Sequence, residues 1–217
     1  MKILVFAPHN DDEVLGVGGT MAKHIALGDE VYVCEVTASL VEKYKQKLQN
    51  EARKAHEFLG VKETFFLNLT VVELPREEIR KFNGAVSSIV ETIAPDVVYF
   101  PFYGDMHGDH TAVANSVMVA VRPLVAPFVK EVYMYETLSE TGWNYPTADK
   151  AFIPNTYVDI TDYYLKKEGA MGKYQSQVKE YPHPRSMQAM RALAEYRGST
   201  VGVHYAEAFM CVRRIIR

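Results

Sequence analysis

The sequence predicts an α/β fold of the Rossmann-like type: a mostly parallel, doubly wound sheet followed by a C-terminal cap segment. Short β-branched apolar runs alternate with longer stretches of helical periodicity along the first part of the chain, and this alternation is typical of βαβ units. The boundaries are sharp, because Leu59-Gly60 is a helix stop and Pro95-Asp96 directly precedes an apolar run. Such alternation predicts a mostly parallel sheet whose strands are joined by right-handed crossovers.

Five strands and four helices are predicted in this first part. The strands are expected at Ile3–Phe6, Val31–Val36, Thr64–Leu67, Val97–Pro101 and Glu131–Tyr135. The helices are expected at about 19–27, 41–59, 76–93 and 109–122. A chain of 217 residues with 48% hydrophobic content can bury one core of substantial size. We therefore expect a single domain over residues 1–217, with its core at about 1–135.

From about residue 136 onward the pattern loosens into aromatic and proline-containing segments. Helical patterns return near 161–175 and 185–197, and a last apolar run follows at 207–212. We interpret this part as a cap over the mouth of a cleft, because loops at the carboxyl ends of strands carry function on a rigid sheet.

Charge and cysteine content exclude several classes of protein. The net charge is −3, and no run of basic residues stands out except the short Arg213-Arg214, so nucleic acid is not an expected partner. The apolar run at the amino terminus reaches charged residues by Asp11, which is too short for a signal segment or a membrane span. Cys34 and Cys211 lie in apolar, strand-like runs and are expected to be buried thiols. A cytoplasmic enzyme without membrane insertion is the simplest interpretation.

Two polar clusters follow predicted strands at the point where each strand ends. His9-Asn10-Asp11-Asp12-Glu13 comes after the first strand, and His107-Gly108-Asp109-His110 comes after the fourth. The carboxyl ends of parallel strands open into one crevice, so the two clusters should converge there.

The residue types in the clusters favour a zinc site. Imidazole and carboxylate groups are ordinary zinc ligands, and a catalytic site uses three of them while leaving one position to water. His9 and Asp12, three residues apart across a turn, can reach one ion together with His110 from the second cluster. Asp11 then remains beside the ion as a carboxylate that can accept a proton from the water. This is the chemistry of a metal-dependent amidase or esterase.

At these motifs the sequence resembles the PIG-L or LmbE-like zinc-dependent N-deacetylases, which remove acetyl groups from N-acetylglucosamine-type amino sugars. Their first motif reads His-Pro-Asp-Asp-Glu, with Asn10 in place of the proline here, and their second, His-x-Asp-His, is intact. The resemblance implies a zinc ion, with Asp11 as general base. It implies His107 as the group that stabilises the oxyanion or protonates the leaving amine, and Asp109 as the residue that orients His107. It also implies an N-acetylated amino-sugar substrate and self-association as a trimer or hexamer.

The resemblance extends into the second half of the chain. The segments Tyr174-x-Ser176-Gln177, His183-Pro184-Arg185-Ser186 and Gly202-x-His204-Tyr205 are similar to late segments of bacterial members. These late segments suggest Arg185, His183 and Tyr205 as substrate contacts. Four aromatic residues could stack on sugar faces at the cleft mouth, namely Trp143, Tyr145, Tyr174 and Tyr205.

The chain also departs from the family pattern at two positions. An arginine that is frequent in the family is replaced around Leu48, and the usual Leu-Pro-Asp reads Leu69-Thr70-Val71. Both positions help to hold sugar in some relatives, so the departures bear on the substrate and leave the proposed chemistry unchanged.

Three other functions are compatible with parts of the pattern. A Mg²⁺- or Mn²⁺-dependent phosphoesterase would use the carboxylates, although two imidazoles favour zinc. A metal- or sugar-binding protein without catalysis would have no need of Asp11 and His107. A dinucleotide-binding loop is disfavoured because Gly16, Gly18 and Gly19 lack the last glycine of that motif, so close packing of a helix or an open loop is expected there.

Some polar residues have simpler interpretations. Asp11, Asp12 and Glu13 could form the first turn of a helix, where carboxylates cap free N–H groups. His24 and His56 lie within amphipathic helical patterns and are interpreted as solvated or packing residues.

Overall fold

A computed structural model describes residues 1–216, and a seven-stranded sheet organises them. The strands are β1 (Lys2–Ala7), β2 (Glu30–Ala38), β3 (Glu63–Thr70), β4 (Val97–Pro101), β5 (Glu131–Tyr135), β6 (Thr156–Asp159) and β7 (Ala206–Arg214). They are arranged in the order β3-β2-β1-β4-β5-β7-β6, and β1 to β5 are parallel. The mostly parallel α/β fold predicted from the sequence is confirmed.

Helices cover both faces of this sheet. They are α1 (Asp12–Ala26), α2 (Glu42–Leu59), α3 (Ile79–Ile93), α4 (Gly108–Ala120), α5 (Tyr164–Met171) and α6 (Met187–Ser199). Within the described residues 1–216, no helix has the length and apolar character needed to cross a lipid bilayer.

Helix α1 begins seven residues earlier than the expected start at residue 19, because its glycines pack instead of forming a loop. A Cβ atom on Gly16 would lie 2.2 Å from the Tyr135 ring, and one on Gly19 would lie 2.6 Å from Ile160. The glycines therefore bring the helix close to β5 and to the segment after β6. As a result Asp12 and Glu13 belong to the first helical turn.

The second half of the chain forms more than a cap. Strand β7 pairs antiparallel with β5, and β6 pairs antiparallel with β7, so this segment completes one edge of the sheet. The segment expected as a cap from about residue 136 therefore also contributes two strands to the sheet. The physical reason is visible in β7, where the first four residues are all buried and Phe209 lies opposite Tyr135.

Alternate residues of the buried strands fill two cores, one on each side of the sheet. In β1, Ile3 and Val5 face the core covered by α1, α2, α5 and α6, whereas Leu4 and Phe6 face the core covered by α3 and α4. Full burial of each such side chain stabilises the fold by about 1.5–3 kcal/mol. Because β1 is buried on both faces, it reads as a continuous apolar run.

The strand order reverses between β1 and β4, and this point positions the functional residues. Helix α1 follows β1 on one face of the sheet, and α4 follows β4 on the other face. The two connections therefore separate and leave a crevice at the carboxyl ends of these strands, where ligands bind in open α/β sheets.

Candidate metal centre and catalytic pocket

Three side chains from the two loops place their donor atoms together at this crevice. His9 Nδ1 lies 3.2 Å from Asp12 Oδ2, and His110 Nε2 lies 3.1 Å from the same oxygen. The two ring nitrogens are 3.4 Å apart. Ligands bound at zinc distances in a tetrahedral site are separated by about 3.3–3.4 Å. The three donors thus have the identity and spacing that a zinc ion requires, and they form one of the possible metal-binding groups of the chain.

Carboxylates behind the histidines fix their ring orientations. Asp109 Oδ2 lies 3.1 Å from His9 Nε2, and Asp105 Oδ2 lies 2.8 Å from His110 Nδ1. Asp105 is itself held by the hydroxyl of Thr141, which donates to it at 2.6 Å. A carboxylate behind a metal-binding histidine sets the tautomer and raises the basicity of the ligand. Both histidines are therefore presented with one specified nitrogen toward the centre.

The electrostatics of the three donor groups favour a cation between them. Burial opposes protonation of the rings, but hydrogen bonds to Asp109 and Asp12 raise the pKa of His9 to about 9. Burial likewise opposes the charge on His110, while Asp12 and Asp105 raise its pKa to about 10. Burial also opposes ionisation of Asp12, yet the adjacent His110 and His9 rings lower its pKa well below the ordinary value. A divalent cation supplies the positive charge that these protons otherwise provide.

Asp11 lies next to this centre with a perturbed carboxyl group. It is 2% exposed and occupies the N-cap position of α1 without a side-chain capping hydrogen bond, and its backbone φ of 130° is a value that a residue with a Cβ rarely adopts. Burial and the charge of Asp12 raise the pKa of the Asp11 carboxyl well above the ordinary value, and Arg185 opposes this rise. Arg185 Nη1 lies 3.5 Å from Asp11 Oδ2. Carboxyl groups with raised pKa values in a cleft are typical of acid and base catalysts.

His107 lines the same cavity with a defined tautomer. Its Nδ1 accepts the backbone N–H of Asp109 at 3.1 Å, so in the neutral ring the proton is on Nε2. Burial and the nearby His9 lower the pKa of His107. The carboxylate of Asp109 lies 3.8 Å from His107 Nδ1 and 3.1 Å from His9. Asp109 therefore orients His9 more directly than it orients His107, which differs from the role implied by the sequence resemblance.

The crevice opens into a cavity of about 230 Å³. Its polar lining includes Arg185, whose Nη1 donates to Gln177 Oε1 at 2.9 Å and whose Nε donates to Ser139 Oγ at 3.3 Å. The lining also contains Leu48 and Val71, which lie where the sequence departs from the family pattern. The full lining is His9, Asn10, Asp11, Asp12, Thr37, Ala38, Ser39, Leu48, Val71, His107, Glu140, Gln177 and Arg185.

Of the three substrate contacts suggested by the late segments, the structure places Arg185 in the cavity wall and the other two outside it. His183 accepts the backbone N–H of Arg185 at 3.0 Å and so shapes the turn that carries this arginine. Tyr205 stacks on Tyr164, with ring centroids 4.3 Å apart.

The other aromatic residues named for the cleft mouth are also absent from the cavity lining within residues 1–216. Tyr174 is fully buried, so it cannot stack on a sugar. Trp143 and Tyr145 are exposed.

Several polar residues of the site were missed by sequence reasoning. Asp105 stands in the same loop as the second motif, and an acidic residue five positions before His110, a proposed metal ligand, was a usable signal. Glu140 lies in a segment without a motif. It lines the cavity with a buried Oε2 that has no hydrogen-bond partner within the described chain, and burial raises its pKa. His56 is buried at the side of Glu13 and is not a solvated helix residue.

The family match and the fold give the class of this protein, an N-deacetylase, which is a hydrolase, built on a mostly parallel α/β sheet. The model of the PIG-L family, described as GlcNAc-PI de-N-acetylase, matches residues 4–121, which contain both motifs. The chain belongs to this family.

Comparisons with individual proteins agree with this assignment. The chain is similar to the diacetylchitobiose deacetylase of Thermococcus kodakarensis, with 28% identity over 232 residues that cover 97% of this chain and 83% of the relative. It is also similar to the solved structure of the conserved protein TT1542 from Thermus thermophilus. The TM-score is 0.81 at 26% identity, and the match covers 99% of this chain and 96% of that one.

One further solved structure shows that the fold serves more than one reaction. The 4-carboxy-2-hydroxymuconate hydratase GalB from Pseudomonas putida superimposes with a TM-score of 0.79 at 20% identity, covering 100% of this chain and 98% of that one. This is a likeness of fold alone. The fold therefore does not specify the reaction, which depends on the residues of the site.

Proposed function

We propose that this enzyme is a zinc-dependent hydrolase that removes the acetyl group from an N-acetylglucosamine-type amino sugar or its conjugate. The observation that carries the proposal is the meeting of three zinc-type donor atoms, 3.1–3.4 Å from one another, beside a cavity that Asp11 and His107 line. Zinc bound by His9, Asp12 and His110 would polarise the amide oxygen and make water a stronger nucleophile at neutral pH.

In the proposed mechanism, Asp11 moves the proton. Its carboxylate takes a proton from the water that attacks the amide carbon, and its raised pKa favours retention of that proton until the C–N bond breaks. The proton then passes to the nitrogen of the leaving amine. The products are acetate and the free amino sugar, and Asp11 returns to its ionised state.

His107 stabilises the oxyanion in this mechanism. Because Nδ1 accepts the backbone N–H of Asp109, the Nε2–H group of the neutral ring is the donor available to the substrate. A donor placed where negative charge develops stabilises the transition state more than the ground state. The lowered pKa of His107 supports the neutral form, and it favours this role over proton donation to the amine.

The polar residues of the cavity lining are the proposed sugar contacts. Arg185, fixed by Gln177 and Ser139, presents a rigid set of donors, and Glu140 lines the same cavity. Leu48 and Val71 in the lining suit a substrate that carries an apolar group. The name of the Thermococcus kodakarensis relative supports an N-acetylglucosamine unit as the reacting part.

Two observations argue against the alternative functions. A phosphoesterase that uses Mg²⁺ prefers oxygen ligands, whereas two of the three donors here are imidazole nitrogens. A binding protein without catalysis does not require a buried Asp11 in a strained backbone conformation, because this residue is not among the three donors.

The proposal is tested by metal analysis together with an acetate-release assay on a panel of N-acetylglucosamine conjugates, with and without a chelator. We expect about one zinc ion per chain and acetate release that the chelator abolishes. Asp11→Asn should keep its zinc and lose about 100- to 10,000-fold in kcat, whereas the exposed control Asp162→Asn should keep both. Absence of acetate release after zinc addition would refute the deacetylase function. A fully active Asp11→Asn variant would exclude Asp11 as the base.

A further inference from the structure

A buried polar cluster lies next to the catalytic loop, and no step of the proposed mechanism uses it. Its acidic members are Glu13 in α1 and Glu35 in β2, both fully buried. His56 in α2 and Tyr174 after α5 are also buried and complete the cluster. Burying so many polar groups is costly unless they are paired, so the cluster requires an explanation.

Glu13 is at the centre of the cluster, because both Tyr174 and His56 contact its carboxyl group. Its Oε1 accepts the hydroxyl of Tyr174 at 2.5 Å and lies 3.1 Å from His56 Nε2. The other ring nitrogen of His56 lies 2.8 Å from the hydroxyl of Thr64 in β3. The carboxyl group of Glu13 is thus held by His56 in α2 and by Tyr174 after α5, and His56 is held in turn by Thr64 in β3. It therefore has little freedom to rotate.

The second oxygen of Glu13 is directed at the catalytic loop. Glu13 Oε2 accepts the backbone N–H of Asp11 at 3.2 Å. Asp11 is the cap residue of α1, so its N–H has no helical partner, and its φ of 130° is disfavoured for a residue with a Cβ. A strained conformation persists only where surrounding contacts hold it, and the Glu13 carboxylate is the contact on the Asp11 N–H.

We infer that Glu13, fixed by Tyr174 and His56, is a positioning residue that holds the Asp11 backbone so that the Asp11 carboxyl lies beside the metal centre. Glu13 itself touches no cavity surface within residues 1–216 and is not a catalytic residue. The inference rests on the proposed function only through the role of Asp11 as general base. Three of the four cluster members, Glu13, Glu35 and His56, also have the composition of a metal-binding group. A second metal ion is therefore the competing explanation.

The first test is Tyr174→Phe, which removes one contact on Glu13 without changing its charge. A small displacement of a catalytic group costs up to about 100-fold in rate, and we expect kcat to fall about tenfold while KM and the zinc content stay within twofold. The matched control is Tyr135→Phe. Tyr135 is equally buried, belongs to the same core and donates its hydroxyl to Phe6 O at 2.8 Å. It should lose similar thermal stability and keep kcat.

The second test compares Glu13→Gln with Glu13→Ala. Gln retains an oxygen for the Asp11 N–H, so it should preserve much more of kcat than Ala does, with equal zinc content. Equal loss in the two variants would overturn the inference, and so would equal effects of Tyr174→Phe and Tyr135→Phe on kcat. Two zinc ions per chain in the wild type, reduced to one in Glu13→Gln, would also overturn it and assign the cluster to a metal.

A third measurement separates this inference from the proposed function, because it requires no turnover. Hydrogen exchange of the Asp11 amide, followed by NMR, should be about tenfold faster in Tyr174→Phe than in the wild type and unchanged in Tyr135→Phe. Unchanged exchange in Tyr174→Phe would overturn the positioning role whatever the enzyme hydrolyses. Absence of acetate release together with the expected exchange pattern would reject the deacetylase function and leave the positioning of Asp11 supported.

Discussion

Replacement of Asp109 by asparagine separates two roles that this carboxylate could serve. The sequence resemblance implies that Asp109 orients His107, whereas the structure places it 3.1 Å from His9 Nε2 and 3.8 Å from His107 Nδ1. The asparagine side chain would retain the shape and one acceptor oxygen but lose the charge. If Asp109 serves His9, the change weakens a proposed zinc ligand; if it serves His107, the change slows only the chemical step.

The expected magnitude follows from the contact with His9. Loss of a carboxylate behind a metal-binding histidine typically lowers metal affinity by about 10- to 100-fold, which corresponds to about 1.4–2.7 kcal/mol. The burial of Asp109, whose side chain has no exposed surface, places it toward the upper end of that range. Its pKa is lowered, with burial opposing ionisation and the His9 ring and the Val72 N–H favouring it, so the carboxylate is charged at neutral pH.

The assay is competition for zinc against a coloured chelator of known affinity, with kcat measured on zinc-saturated enzyme. Asp105→Asn is the matched comparison, because Asp105 stands behind the second ligand, His110, at 2.8 Å. Both variants should bind zinc at least tenfold more weakly. Unchanged zinc affinity in Asp109→Asn, combined with a large loss of kcat at saturating zinc, would refute our reasoning and assign Asp109 to His107.

Three further predictions concern stability and pH. Lys167→Met removes the cation from a buried ion pair with Glu207, whose carboxylate also accepts the N–H groups of Gly19 and Thr20. We expect the free energy of unfolding to fall by about 3–5 kcal/mol, which lowers Tm by roughly 7–11 °C. A loss below about 1 kcal/mol in urea unfolding would contradict this. In metal-free protein the pKa of His9 is raised to about 9 and that of His110 to about 10, so the protonated rings stabilise the fold at low pH. The free energy of unfolding should therefore fall as the pH rises from about 6.5 to 10. A free energy of unfolding that does not change with pH in chelator, measured by urea unfolding, would be inconsistent with these contacts. Arg185→Met removes the charge that lowers the pKa of Asp11, so the acid limb of the kcat profile should move to higher pH; movement to lower pH would exclude this interaction.

Sequence periodicity predicted the five parallel strands because buried strands have strong local signals. It placed the start of α1 too late, since three glycines argue locally against a helix. The deciding contacts of Gly16 with Tyr135 and of Gly19 with Ile160 join residues more than a hundred positions apart. Tertiary packing overrides helix propensity at such positions.

For the site as well, the sequence predicted residues that lie in local motifs and missed residues whose contacts depend on tertiary packing. His9, Asp12 and His110 could be named as ligands because each lies in a short motif at the end of a strand, and the geometry that brings parallel strand ends together is general. His56 and Tyr174 have no motif. Their contacts with Glu13 depend on how α2 and the segment after α5 pack on α1, so they could not be read from spacing. The long side chain of Arg185 extends to within 3.5 Å of Asp11 and so lies in the cavity wall, whereas the Tyr205 ring packs on Tyr164.

The arrangement of carboxylates around the metal centre costs stability, and this cost gives a last prediction. Asp11 is buried close to Asp12 and Glu13, and its pKa is raised by burial first and by these two charges next, while Arg185 opposes the rise. A raised pKa in the folded state means that the stability contributed by this group is present at low pH and is lost as the pH rises through the folded value. At pH 8, in chelator, Asp11→Asn should therefore be more stable than the wild type by about 0.5–2 kcal/mol, or roughly 1–4 °C in Tm. The exposed control Asp162→Asn should leave Tm unchanged. A lower Tm for Asp11→Asn would show that the ionised carboxylate contributes a favourable contact, and the account of Asp11 as a destabilised base would then have to be abandoned.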